Sequence, residues 1–409
     1  KKLEPRKLVL TKLKPPKKEI IDISLVCYFQ EKDSVTGEEL VELHLHGSTA
    51  VVDEVFLFLS SIKGFRPAEP GEFTKRALIK GKMDLLEVEG LADLIASETK
   101  EQRIQSLRLL KGELSKKYLE WRKELVWIRA EMEALLDFSD EGDVSEKAQK
   151  INFIKKTSFL IKNIEKDLEK GITGERLRSG LKVALIGAPN VGKSSLTNAL
   201  LNEDRAIVSA HAGTTRDTIE ARLNLEGVPV TIYDTAGIRE ARNKIEKEGV
   251  RRSKSTAKNA DIVLFISSAL DNKKEAALDL SKFGEAKIIH IYNKIDLVSD
   301  YGSLKKSGFC ISCKTKQGID EFLKSLSREV KKMTSSSDLA VGPNRIRHIN
   351  HLKSTKESLE LAMQEAKKDN MDISADFIRS ASISLGRIVG IIDIEDVLDE
   401  IFSGFCIGK

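Results

Sequence analysis

Eight residues that begin at Gly187 form the most informative motif of this chain. They read Gly-Ala-Pro-Asn-Val-Gly-Lys-Ser, which is the G-x-x-x-x-G-K-S pattern of a phosphate-binding loop. Its glycines let backbone N–H groups approach a polyphosphate, Lys193 brings positive charge to the outer phosphates, and Ser194 offers a hydroxyl to Mg²⁺. The apolar residues 183–186 precede the loop and a helical pattern over 194–201 follows it. This strand, loop and helix predict nucleotide binding.

Further short motifs follow the loop in the order that a GTPase needs. Asp234 ends the apolar segment 230–233 and can hold Mg²⁺ through water, while the Gly237 N–H can reach a γ-phosphate. Between the loop and Asp234, residues 213–217 read Gly-Thr-Thr-Arg-Asp. One of these threonines can complete the Mg²⁺ shell as part of a mobile switch.

Two later segments predict that the bound base is guanine. Residues 293–296 read Asn-Lys-Ile-Asp at the end of a predicted strand, where the Asp296 carboxylate can accept both guanine N–H groups. Residues 312–314 read Ser-Cys-Lys after the next strand and would place a backbone N–H on the guanine oxygen. This role explains Cys313 better than a redox pair with Cys310 does. The predicted GTP-binding residues are Asn190, Val191, Gly192, Lys193, Ser194, Ser195, Ser209, Thr214, Thr215, Asp234, Thr235, Ala236, Gly237, Asn293, Lys294, Asp296, Ser312, Cys313 and Lys314.

The residue after Asp-Thr-Ala-Gly leaves the positioning of the attacking water open. Ras-type proteins place a Gln there to orient this water, but here the position holds Ile238. An isoleucine cannot hydrogen-bond to water, so another group must orient it. Glu240, Glu246 and Glu248 are candidates, although all three also fit the exposed face of a switch helix.

The elements that must position these motifs follow from hydrophobic periodicity. Residues 23–28 and 41–46 alternate in polarity and predict strands in the first part of the chain, before a long helical period begins. That period places Leu119 and Trp127 on buried helix faces. From about residue 181 to residue 330, predicted strands and helices alternate, which is typical of a doubly wound parallel sheet. The helical pattern returns after residue 343. The four predicted divisions are 1–84, 85–180, 181–332 and 333–409.

We therefore predict a multidomain protein of α/β and all-α parts, in which a Ras-like P-loop GTPase domain is inserted into a helical bundle. Insertion is favoured over four consecutive domains because each helical half alone lacks partners for its apolar faces.

The composition limits the class of protein but does not indicate its binding partner. The chain has 409 residues, which predicts two or three domains. Its 68 Lys and Arg against 63 Asp and Glu give a net charge of +5, which permits an RNA partner but does not require one. No apolar run is long enough to span a bilayer, and four cysteines in so long a chain indicate a reducing compartment.

With these motifs in hand, the whole chain resembles the MnmE family of tRNA-modification GTPases, also called TrmE. The last eight residues, 402–409, end in a Cys-x-Gly-Lys tail as family members do. Prenylation of Cys406 is disfavoured, because Gly408 is not aliphatic and Lys409 is a poor terminal residue for it. Other family-like segments are Pro-Gly-Glu-Phe-Thr-Lys-Arg-Ala at 70–77, Lys-Met-Asp-Leu at 82–85 and Asp-Phe-Ser-Asp-Glu at 137–141.

The resemblance implies an N-terminal α/β domain that binds a one-carbon folate and dimerises, and a helical domain that carries the inserted GTPase. It implies a flavoprotein partner of the MnmG kind, as a heterotetramer, and tRNA as substrate. The product would be an aminomethyl or carboxymethylaminomethyl group at C5 of the wobble uridine. It also implies GTP hydrolysis stimulated by K⁺ through dimerisation of the GTPase domains. The protein would be cytoplasmic in a bacterium, or mitochondrial in a eukaryote.

The family resemblance implies which residues bind the cations and which residue positions the attacking water. Ser194 and Thr215 match the Mg²⁺ ligands, and Glu246 matches the glutamate that positions the catalytic water, alongside Lys193 and Gly237. A K⁺ near the β- and γ-phosphates could neutralise charge as an arginine finger does, so Arg216 is interpreted as a structural switch residue. The K⁺ positions are Asn190, Ser209, His211 and Thr214.

Matching also assigns a folate site to Glu42, Lys82 and Lys409, with Cys406 beside it as a nucleophile or a positioning residue. Without the resemblance, Glu42 fits the polar face of an alternating strand and Lys82 fits a solvated loop cation. Family members begin with a Gly-rich strand and an Arg that also touches folate, and this chain departs from that start. We expect either a truncated sequence or an incomplete folate site.

Two other functions stay open. A ribosome-assembly GTPase of the Era or Der kind shares the nucleotide motifs, but should carry an RNA-binding module after the GTPase domain. A folate-binding scaffold with a vestigial GTPase is disfavoured, because the residues expected to bind GTP and Mg²⁺ are intact. These residues are Lys193, Ser194, Thr215, Asp234 and Asp296.

Overall fold

The computed structural model describes residues 3–16, 19–137, 143–201, 220–234, 260–270, 286–334, 342–392 and 402. These described residues form two compact units, and each unit is assembled from segments that are distant in the sequence. The first unit draws on the ranges 1–95, 107–161 and 351–409, and the second on 96–106 and 162–350.

A three-stranded antiparallel sheet lies in the first unit, with the strand order β1-β2-β3. Its strands are β1 (Val9–Leu13), β2 (Asp22–Phe29) and β3 (Leu40–His44). On β2 the buried residues Ser24 and Val26 alternate with the exposed Ile23 and Leu25, as the two faces of a strand require. Both predicted strands are confirmed, and β3 ends at His44, two residues earlier than predicted.

Ten α-helices lie within the described ranges. They are α1 (Thr49–Ser60), α2 (Glu72–Ile79), α3 (Leu85–Ala96), α4 (Lys100–Leu110), α5 (Glu113–Asp137), α6 (Asp143–Ser179), α7 (Lys193–Leu201), α8 (Ile319–Thr334), α9 (Ile346–Lys367) and α10 (Met371–Val389). Within the described residues, no helix is long and apolar enough to cross a membrane.

The periodicity of α5 corrects one prediction. Residues spaced three and four apart form its buried stripe, which packs against α10. Leu119 and Trp127 lie off this stripe and are 39% and 51% exposed, so their predicted burial is wrong. The Trp127 ring instead faces Lys156, whose Nζ lies 3.5 Å from the ring centroid. The stripe consists of Leu114, Tyr118, Trp121, Leu125, Ile128 and Met132.

The second unit is built on a six-stranded sheet with the order β5-β6-β4-β7-β8-β9. The strands are β4 (Leu181–Ile186), β5 (Glu220–Leu225), β6 (Val228–Asp234), β7 (Ile262–Ser268), β8 (Lys287–Asn293) and β9 (Phe309–Cys310). All neighbouring pairs are parallel except β5 with β6. The predicted parallel sheet therefore has an antiparallel edge strand, because a two-residue turn cannot make the crossover that parallel strands need.

The order of this sheet reverses at β4. The chain first adds β6 and β5 on one side of β4, and later β7, β8 and β9 on the other. In open α/β sheets, ligands bind outside the carboxyl ends of the strands at such a reversal. The phosphate-loop motif follows the carboxyl end of β4. The fold therefore puts the motif at the position where ligands bind.

Candidate nucleotide site

The loop between β4 and α7 needs glycine at its last turn. Gly192 has a φ of +100°, which L side chains rarely adopt, and a Cβ there would overlap the Nδ2 atom of Asn293. A residue with a side chain would push the loop away from the neighbouring segment. The second glycine of the motif therefore allows the loop to lie directly against Asn293.

Lys193 begins α7 and is buried, with 7% of its surface exposed. Its ammonium donates to the carbonyl oxygens of Gly187 at 2.7 Å and Ala188 at 2.8 Å. These bonds hold a positive charge inside the curve of the loop. A positive charge in a loop of the phosphate-binding pattern is suited to an anionic ligand.

Asn293 ties the loop to the segment that follows β9. The side chain is 2% exposed and lies at the end of β8. Its Nδ2 donates to the Val191 carbonyl at 2.8 Å, and its Oδ1 accepts from the Cys313 N–H at 3.1 Å. Both ends of the amide are used inside the protein. Asn293 therefore braces two loops, a role that sequence reasoning missed because Val191 lies about 100 residues earlier in the chain.

The neighbouring residues of the same motif orient polar groups at the sheet edge. Lys294 donates from Nζ to the Asn190 carbonyl at 2.7 Å. The hydroxyl of buried Ser312 donates to Asp296 Oδ1 at 2.6 Å and accepts from the Thr315 N–H at 3.1 Å. Asp296 itself is exposed. Its carboxylate is thus held in one orientation while it stays open to a ligand.

The two cysteines near this edge are free thiols. Burial raises the pKa of Cys313 to about 11, and burial also raises the pKa of Cys310. A raised pKa keeps a thiol protonated and weakly nucleophilic at neutral pH. A protonated thiol is unsuited to redox chemistry, whereas the predicted part of Cys313 in guanine binding stays a prediction.

The other described residues of the predicted site lie around the same loop. Asn190, Ser194 and Ser195 are exposed, and Asn190 has a φ of +65°. Asp234 ends β6 and is paired in register with Leu185 on β4. The ends of both strands therefore meet at the edge that carries the phosphate loop. Lys314 is exposed beside Cys313.

Ten further residues of the predicted sites lie outside the described residues: eight of the GTP, cation and water-positioning sites, one folate ligand and the cysteine predicted beside it. These are Ser209, His211, Thr214, Thr215, Thr235, Ala236, Gly237, Glu246, Cys406 and Lys409. Their predicted roles stay predictions.

Two predicted folate residues lie in the first unit. Glu42 is on β3, and its Oε2 lies 3.1 Å from His44 Nε2. Lys82 follows α2 and donates from Nζ to the Lys32 carbonyl at 2.7 Å. Both side chains are therefore engaged with protein neighbours, and a role in folate binding stays a prediction.

Together, the sheet with its reversal at β4, the phosphate loop and the oriented Asp296 define the class of P-loop GTPases. Comparison with known proteins narrows the class. A family model described as the MnmE helical domain matches residues 85–406, and one described as the GTP-binding protein TrmE N-terminus matches residues 1–82.

Named relatives cover nearly all of the chain. The tRNA modification GTPase MnmE of Agrobacterium fabrum is 42% identical over 405 residues, which is 99% of this chain and 90% of the relative. That of Rhodopseudomonas palustris is 42% identical over 410 residues, with the same coverage. The chain therefore belongs to the MnmE family of tRNA modification GTPases. It is a GTP hydrolase that acts in tRNA modification.

Two similar solved structures each overlap with less than half of the chain. A point variant of Aquifex aeolicus Era, bound to GDP.AlF4-, is 23% identical, with a TM-score of 0.30, and covers 44% of this chain and 67% of that one. The G domain of the T. maritima FeoB iron transporter is 25% identical, with a TM-score of 0.28. It covers 38% of this chain and 99% of that one.

Proposed function

We propose that this tRNA modification GTPase is activated by K⁺ and acts with a flavoprotein of the MnmG kind. Together they install an aminomethyl or carboxymethylaminomethyl group at C5 of the tRNA wobble uridine, with a one-carbon folate as donor. Membership of the MnmE family supports the part of this proposal that names tRNA as the substrate. The partner, the folate and the cation are inferred from the family resemblance and from the residues of the phosphate loop.

The conformation of Asn190 is the observation that carries the potassium proposal. Its φ is positive, at +65°, and Lys294 donates a hydrogen bond to its backbone carbonyl. Its side chain is exposed beside the residues proposed to bind phosphate. A carboxamide oxygen there can coordinate a monovalent cation, and a fixed cation stabilises the charge that develops on the phosphates. Ser209, His211 and Thr214 would complete the site.

The residues of the predicted site then have separate tasks in GTP hydrolysis. Lys193 neutralises charge on the outer phosphates, and Ser194, with Thr215 and Asp234, would hold Mg²⁺. Asp296 would accept the guanine N–H groups. Because the Cys313 N–H is already used by Asn293, and the Ser312 N–H by the Gln317 carbonyl at 2.9 Å, we assign the guanine oxygen to the Lys314 N–H.

The remaining roles rest on the family resemblance. Glu246 would position the attacking water, and the Gly237 N–H would sense the γ-phosphate. A dimer of the N-terminal domains would hold the folate with Glu42, Lys82 and Lys409, near Cys406. We also propose the inserted arrangement of domains, with boundaries near residues 84, 180 and 332, in the bacterial cytoplasm where tRNA is modified.

Wobble-uridine analysis of a deletion strain tests this function most directly. Mass spectrometry of tRNA nucleosides should show loss of the C5 group in the deletion strain and its return when the wild-type gene is supplied. A gene with Lys193→Ala should fail to restore the group, although the protein accumulates normally. A normal C5 pattern in the deletion strain would contradict the proposal and favour a ribosome-assembly switch.

A further inference from the structure

The hairpin of β5 and β6 joins two segments that are expected to contact the nucleotide. Thr215 precedes the first residue of β5 by five positions, and Thr235 follows directly after the last residue of β6. The two strands are paired from Glu220 with Tyr233 to Leu225 with Val228. Because both ends of the hairpin are covalently attached to these segments, the position of the hairpin limits where they can lie.

The turn of this hairpin lies at the far end of the strands from the phosphate loop. Glu226 and Gly227 form it, with φ values of +55° and +87°, as a two-residue turn with two positive φ angles requires. Val228 starts β6 at the turn, and Asp234 ends it at the loop edge. At about 3.3 Å a residue, six steps separate these ends by about 20 Å.

Helix α4 and the residues before it contact the hairpin at two places. Arg222 Nη1 on β5 lies 2.9 Å from Glu98 Oε1. At the turn, a Cβ on Gly227 would come within 2.8 Å of Glu101 Cγ, so the turn packs directly against Glu101. Two independent contacts, one polar and one steric, therefore fix the hairpin to this helix start.

The start of α4 is in turn fixed to the end of α6. Gln102 Oε1 accepts from the Glu98 N–H at 3.0 Å, and its Nε2 donates to the Arg178 carbonyl at 2.9 Å. Gln105 Nε2 donates to the Gly174 carbonyl at 3.0 Å. Only Gly180 separates the end of α6 from the start of β4, which leads into the phosphate loop. The helix start thus links the hairpin to the strand that carries the loop.

We propose that Glu98 and Arg222 are positioning residues for GTP hydrolysis. The pairing of β6 with β4 sets the register of the hairpin, and the contact of Glu98 with Arg222 adds a brace that holds its outer strand, β5, against the start of α4. We infer that this brace orients the segments at the ends of the hairpin towards the phosphates bound by the loop. Breaking it should slow turnover and leave GTP affinity almost unchanged, because Lys193 and Asp296 do not depend on the hairpin contact. The proposal rests on GTP hydrolysis alone and needs neither potassium nor folate.

A charge exchange tests the contact in the full-length protein. Arg222→Glu and Glu98→Arg should each lower kcat for GTP about fivefold, with KM changed by less than about twofold. The double variant, which restores opposite charges, should return kcat to within about twofold of wild type. Arg222→Lys should retain most of the activity. An exposed ion pair adds little to stability, so the melting temperature should not change.

Lys332→Glu is the matched control, because it breaks an exposed ion pair with Glu329 on α8 in the same unit. It should leave kcat unchanged. Three outcomes would overturn the proposal. The single charge reversals could leave kcat unchanged, the loss in the double variant could equal the product of the two single losses, or kcat, affinity and melting temperature could fall together.

Discussion

Individual side chains at the phosphate loop have tasks that their own motif does not reveal. Asn293 uses both ends of its amide to join Val191 and Cys313, and Lys294 holds the carbonyl of Asn190. A buried amide that loses its partners leaves unpaired polar groups, each of which costs about 1–3 kcal/mol. The geometry of the loop therefore depends on residues that follow β8 as much as on the loop itself.

The potassium proposal belongs at the scale of one residue, Asn190. Alanine is a poor test because the backbone has a positive φ, whereas glycine accepts that φ and removes the side chain with its carboxamide. Wild-type protein should hydrolyse GTP several-fold faster in K⁺ than in Na⁺ at equal ionic strength. Asn190→Gly should have similar, low rates in both salts, as measured by phosphate release.

Asn198→Ala is the control for Asn190→Gly, since Asn198 is exposed on α7 in the same unit. It should keep the K⁺ dependence of the wild type. Equal wild-type rates in K⁺ and Na⁺ would remove the cation from the proposed mechanism.

At the scale of elements, a charge cluster holds the start of α2. Glu72 accepts from both terminal nitrogens of Arg66 at 2.8 Å, from Arg76 Nη2 at 2.6 Å and from the Glu69 N–H at 2.8 Å. These hydrogen bonds, with Arg66 first, hold the pKa of Glu72 far below its ordinary value. A carboxylate in the first helical turn also interacts favourably with the helix dipole.

The cluster predicts a pH-dependent stability of the first unit. Because the folded pKa of Glu72 is lowered, its contribution is complete above the ordinary pKa of 4.5 and is lost as the pH falls towards the folded pKa. Glu72→Gln should lower the melting temperature at pH 7, and the difference from wild type should shrink below about pH 4.5. Thermal unfolding from pH 7 to pH 3 would measure this.

Glu54→Gln is the control for the cluster, because Glu54 is exposed on α1 in the same unit. Its melting temperature should follow the wild type at every pH. A Glu72→Gln difference that stays constant down to pH 3 would contradict the predicted role of the charge.

At the scale of the whole molecule, the two ends of the sequence contribute to one core. Phe402 is 5% exposed and packs against Leu78, Leu85 and Val88, more than 300 residues earlier in the chain. Phe402 lies four residues before the Cys-x-Gly-Lys tail in the sequence. The sequence distance means that no local pattern could have predicted the contact.

Phe402→Ala should therefore destabilise the first unit. Removing a buried phenylalanine costs about 3–5 kcal/mol of unfolding free energy. Urea denaturation, followed by the transition of the first unit, would measure the loss. Phe56→Ala provides the control, since Phe56 is 52% exposed in the same unit and should change stability by less than about 1 kcal/mol. Equal losses in both variants would exclude a packing role for Phe402.

The sequence alone predicted the features that depend on neighbouring residues. The phosphate loop, the strand before it and the helix after it are local, and so are the alternating pattern of β2 and the long helical period. Covalent spacing and the periods of the helix and the strand determine these features directly. Family membership, which the comparisons show, was also predicted from such motifs in their order.

Only the tertiary structure decided the features that depend on residues distant in the chain. It placed Asn293 under the phosphate loop, Leu119 and Trp127 outside the buried stripe of α5, and Phe402 in the core of the first unit. It also showed that β5 pairs with β6 in the antiparallel direction. Periodicity states that a helix has a buried face, but the packing partners decide which residues it includes. A motif indicates which residues can bind GTP, whereas contacts with residues distant in the chain fix the positions of their side chains and backbone.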